Sequence, residues 1–163
     1  SRSPGASAFA VGSETLASGT SSMASGTGTT ASGGTSTAMG YNTTASGFAS
    51  TATGSSTIAS GLHTTAMGEN TTASGFAATT MGSNTTASGY YSTAMGFGTT
   101  ASGYMSTAMG RGTTASGDHF QAHQPPARVM SQFVRTTWRW WMGRKRPFSA
   151  KEKRNMIRQS SMM

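Results

Sequence analysis

Ser36-Thr37-Ala38-Met39-Gly40-Tyr41-Asn42-Thr43-Thr44-Ala45-Ser46-Gly47 joins two unlike halves, STAMG and TTASG, and the pair recurs along most of the chain. Glycine stands at every seventh residue from Gly12 to Gly117, and two residues before each stands Ala, except Thr80 before Gly82. The residue just before glycine shows that the full unit is fourteen. In alternate heptads it is always Ser, from Ser18 to Ser116. In the others it is Val11, Ser25, Met39, Thr53, Met67, Met81, Met95 and Met109.

A heptad period suggests a coiled coil, but that needs apolar a and d positions on good helix formers, and here every heptad carries Gly among Thr, Ser and Ala. Collagen needs Gly at every third position, and calcium-binding nonapeptide rolls need a recurring Asp. What remains is a strand of about five residues ended by Gly and a tight turn, twice in each unit. The fold class expected is all-β: a narrow parallel β-roll, or solenoid, of 14-residue coils.

Alternation along a strand assigns the faces. In the STAMG half Ser36, Ala38 and Gly40 point one way, while Thr37 and Met39 point the other. Short turns leave a lumen fit for Ala, Ser and Gly, so the small set faces inward. Met39, Met67, Met81, Met95 and Met109 then form an outer column, broken at Thr53. An exposed apolar stripe marks an interface, and these five are the candidate contact with further copies of the chain. The opposite strand presents Thr44/Ser46, Thr72/Ser74, Thr86/Ser88, Thr100/Ser102 and Thr114/Ser116 to solvent. Turns after the Met strands carry Asn42, Asn70, Asn84, Gly98 and Gly112, which suit left-handed backbone. Turns after the Ser strands carry Phe48, Leu62, Phe76, Tyr90 and Tyr104, expected as an edge column stacked on one another and against a neighbouring chain.

STAMG-xx-TTASG resembles the head repeat of the trimeric autotransporter adhesins, the YadA-like or Hep/Hag repeat, whose pattern is close to SVAIG-xx-S-x-ATG. The resemblance covers residues 8–117, about eight coils. It implies a left-handed parallel β-roll, three rolls about a threefold axis, and a surface-exposed adhesive head. Carried over, Thr37/Met39, Thr65/Met67, Thr79/Met81, Thr93/Met95 and Thr107/Met109 take the apolar positions that would face the axis. Thr stands where the family has Val, and the residues after Gly117 do not continue the family's pattern.

Of 163 residues only 10% are charged, Cys is absent, and the formal net charge is +8. Charge is segregated: Arg2 and Arg111 are the sole Lys/Arg before residue 118, and the other ten follow it. The organisation expected is a lead over 1–7, the roll over 8–117, a linker over 118–127 and a basic tail over 128–163. The opening at Ser1, without Met, reads as a processed or excerpted chain.

Catalysis has little to work with. The acids are Glu14, Glu69, Asp118 and Glu152, far apart in sequence, and the many hydroxyls lack a positioned base. No catalytic residue, cofactor or metal is expected. His119 and His123 share a helical spacing, but Pro125 and Pro126 follow, which favours a solvated linker. Asn42-Thr43-Thr44, Asn70-Thr71-Thr72 and Asn84-Thr85-Thr86 match the N-glycosylation pattern, for which turn preference is the plainer account.

In the tail, Val129, Met130, Phe133, Val134, Trp138 and Trp141 share a helical face opposite Arg128, Gln132, Arg135 and Arg139, and a second short helix is expected from Ser149 to about Arg158. Arg128, Arg135, Trp138, Arg139, Trp141, Arg144, Lys145 and Arg146 are candidates for binding an anionic membrane surface. No base-reading motif accompanies them, so no specific nucleic-acid partner is expected. A disordered tail of unrelated composition is the competing reading. The whole reads as a non-enzymatic adhesive protein, extracellular or at the cell surface, associating with itself and attaching to host or matrix surfaces. The alternatives are an ice-binding solenoid, on its regular hydroxyl face, and a filament subunit tethered by its basic tail.

Overall fold

Each fourteen-residue unit closes one coil, and successive coils stack in register as parallel strands. The structure, a computed structural model, describes residues 1–123. Nine strands, among them Thr37–Tyr41, Thr51–Ser55 and Thr65–Glu69, form one sheet in chain order. Eight two-residue strands, such as Thr44–Ala45 and Thr72–Ala73, form the second. Pairing offsets are constant: Ala38 faces Ala52, Ala52 faces Ala66, and Gly40 faces Gly54. This is the expected β-solenoid of about 14 residues per coil and about eight turns. The two halves of the unit are nevertheless unequal, with five strand residues on one side and two on the other rather than about five on each.

The core is a thread of small side chains. Ala38, Ala45, Ala66, Ala73, Ala94 and Ala101 have no exposed surface, and their equivalents from Ala17 to Ala115 match them, with Thr80 buried in one Ala place. The lumen also admits a residue beyond the expected Ala, Ser and Gly: Thr29, Thr43, Thr57, Thr71, Thr85 and Thr99 form a fully buried column. Their Oγ1 atoms have no hydrogen-bond partner, nor do those of Thr15 and Thr80. The inward Ser is used differently. Ser36, Ser50, Ser92 and Ser106 donate Oγ–H to the carbonyl three residues back, Ser50 to Gly47 at 2.7 Å, which ties the corner shut.

Gly40 corrects the expected end of the strand. The strand runs through it to Tyr41, and Gly40 is exposed rather than lumen-facing. Its φ is 119°, and a Cβ there would collide with the Gly54 carbonyl oxygen. A repeated glycine therefore lets one coil lie directly on the next. Past Gly117, the expected end of the repeat, the larger sheet takes one more strand, Gln121–His123, paired with Thr107–Met109. Phe120 occupies the position that inward-facing Ser106 takes one coil earlier.

Candidate functional site

Outward-facing residues of the larger sheet fall into straight columns because the register never slips. Met67, Met81, Met95 and Met109 are consecutive neighbours, and Met39 joins them across Thr53. Val11 and Ser25 continue the column at one end and His123 at the other. Met39 is 36% exposed and Met81 39%, so each thioether lies half-sunk among its neighbours with its outer side in water. The Thr37, Thr51, Thr65, Thr79, Thr93 and Thr107 column runs two residues away on the same face.

The coil has two corners, and both turn through left-handed backbone. At one stand Asn42, Ser56, Asn70 and Asn84, with φ from 50° to 55°, then Gly98 and Gly112. Asn70 donates Nδ2–H to Asn84 Oδ1 at 3.2 Å, so two of the three glycosylation-pattern asparagines are joined as a ladder. Phe97 lies beside this corner under the Arg111 guanidinium, 5.8 Å from the ring centroid.

The second corner carries the rings, though not as one stacked file. The contacts zigzag between two columns: Phe48 to His63 at 5.9 Å, His63 to Phe76 at 5.7 Å, Phe76 to Tyr91 at 5.4 Å, Tyr91 to Tyr104 at 6.0 Å, and Tyr104 to His119 at 5.6 Å. All five are edge-to-face, the arrangement favoured by the aromatic quadrupole. Of the expected column, Phe48, Phe76 and Tyr104 take part, Tyr90 meets Phe76 at a tilt, and Leu62 supplies no ring. His63, Tyr91 and His119 interleave from the neighbouring position. Their part follows from the side-by-side placement of two corner columns, which periodicity within one column does not reveal. Tyr90 remains 60% exposed, Phe48 54% and Tyr91 50%.

The smaller sheet presents its hydroxyls as expected, except that Ile58 stands in the Thr column between Thr44 and Thr72 and is itself exposed, and Leu16 begins the column beside Thr30. His119 and His123 belong to the last coil, His119 braced on Tyr104 and His123 ending a strand. Among the described residues no three His, Cys, Asp or Glu gather as a metal site. The tail candidates Arg128, Arg135, Trp138, Arg139, Trp141, Arg144, Lys145 and Arg146 lie outside the described residues. A family model for the YadA head domain repeat matches residues 17–43, 31–57, 40–64, 59–75, 73–99 and 101–119. No curated protein matches the chain.

Proposed function

Because the chain belongs to the YadA head domain repeat family, we propose that it serves as the head of a trimeric surface adhesin, presenting its roll to a host or matrix surface. The observation that carries this reading is the Met column. A straight file of half-exposed thioethers on a rigid sheet is a surface with no use for water. Burying the outer half of each Met contributes about 1 kcal/mol. Five per chain, repeated around a threefold axis, give a gain comparable with the cost of immobilising three chains. Parallel rolls related by such an axis would bring each Met column to the centre. The family places such heads at the cell surface, and the neutral composition of residues 1–117 suits a head that adheres by shape and apolar contact. The basic tail, under this reading, draws the chain towards anionic membrane surfaces.

Light scattering on the full chain tests the assembly. Wild type should have the mass of three chains. Met67→Asp, Met81→Asp and Met95→Asp together should give monomers that keep the β-sheet circular dichroism of the roll, because these side chains lie outside the lumen. A trimer that survives all three changes refutes the Met-faced axis.

A further inference from the structure

The aromatic corner contains its own control. Earlier coils turn the same corner with Ala6-Ser7, Thr20-Ser21 and Gly34-Thr35, where φ is 55° at Ser7, 54° at Ser21 and 53° at Thr35, against 58° at His63 and Tyr91. The backbone bonds match as well: Thr35 N–H donates to the Thr20 carbonyl at 2.7 Å, and Tyr91 N–H to the Phe76 carbonyl at 2.8 Å. Rings are therefore not required to make this corner. Tyr91 also stands where the backbone disfavours it, in a left-handed position that Gly or Asn would fill with less strain. Large side chains that the fold does not need and that are left half in water point to a surface that meets something.

The chemistry beside the rings narrows what that is. Ser46, Ser60, Ser74, Ser88 and Ser102 run along the corner as a column of exposed hydroxyls, one per coil. Between residues 48 and 107 Glu69 is the one Asp, Glu, Lys or Arg, and it stands at the far edge of the larger sheet, two strand positions beyond Met67. Rings flanked by hydroxyls, imidazoles and phenols, with one carboxylate at the end of the corner, where Asp118 Oδ1 accepts the Tyr104 N–H at 3.0 Å, suit a ligand that is apolar on its flat faces and hydroxylated at its edges. A pyranose is such a ligand: its C–H face stacks on an aromatic ring while its hydroxyls exchange hydrogen bonds at the rim. One sugar of an extended β-1,4-linked chain advances by slightly more than one rung of the ladder, whose spacing is ~4.8 Å. An anionic polymer would meet no Lys or Arg between residues 48 and 107, and a carboxylate, Asp118, at the end of the corner. We infer that the corner from Phe48 to Tyr104 binds a neutral, linear, β-linked polysaccharide lying parallel to the roll axis. The inference rests on the reading of the roll as an adhesive surface and supplies a partner class for it, without depending on the trimer.

Titration calorimetry of the full chain with cellohexaose and with chitohexaose tests it. Wild type should bind at least one neutral hexamer, with affinity unchanged from low to high salt. Phe76→Ala, Tyr91→Ala and Tyr104→Ala combined should weaken that binding by about tenfold or more with the melting temperature nearly kept, and Phe97→Ala at the opposite corner should leave it intact. No binding of either hexamer, binding indifferent to the triple change, or binding that salt abolishes overturns the inference. So does a loss of oligomeric mass on removing the rings, which would assign the corner to a second copy of the chain. A monomer that still binds through the rings sinks the trimer alone; a trimer that binds neither hexamer sinks the polysaccharide alone.

Discussion

The lumen and the aromatic corner are drawn from the same fourteen residues and answer to different constraints. In the lumen, coil after coil repeats the same Ala and Thr positions, each with almost no exposed surface. At the corner, the residue after the smaller strand's glycine ranges from Gly34 through Phe48 and Leu62 to Tyr90, while the backbone keeps one conformation. The difference shows which positions the solenoid enforces and which it leaves open. A lumen closed on all sides fixes the volume of each side chain, whereas a corner facing water fixes only φ and ψ.

Substitutions at the two places should therefore differ in size and even in sign. Ala101→Leu, adding bulk where no surface is exposed, should cost about 3 kcal/mol and lower the melting temperature markedly; an unchanged melt would mean that inside and outside are exchanged. Thr57→Val keeps the shape of a lumen residue while removing a buried hydroxyl that has no partner, and should stabilise by about 1 kcal/mol in denaturant unfolding. A loss of stability there would show that the hydroxyl is satisfied. Tyr91→Asn gives up two edge-to-face contacts but relaxes a left-handed residue, so stability should stay within about 0.5 kcal/mol of wild type by the same measurement. A large loss at Tyr91 would make the corner part of the fold after all.

Much of the larger sheet was legible because alternation and a fixed period act together: Ala38 in, Met39 out, and Asn42 left-handed all follow from spacing. The inward Thr43 column was not, although alternation puts it on the face of Ala45, because a lumen between such short turns is expected to hold nothing larger than Ala, Ser and Gly. Gly40 misled for a related reason. Glycine commonly punctuates a chain, and here it instead carries the strand onward at a φ open to glycine. The aromatic ladder was half visible, since Phe48, Phe76 and Tyr104 share one spacing while His63, Tyr91 and His119 share the next. Their interdigitation depends on how tightly the corner turns.

The constant register has a consequence for how such a chain changes over generations. Every interior coil meets an upper and a lower neighbour that offer it the same surface, so a copied or deleted coil finds matching partners on both sides. Gaining one unit would lengthen the roll by about 4.8 Å without disturbing any lumen contact. Reach becomes a quantity that can be tuned in equal steps, and a duplicated coil bearing Tyr90 and Tyr91 would extend the ring-bearing corner by one rung while the far end of the roll stayed as it was.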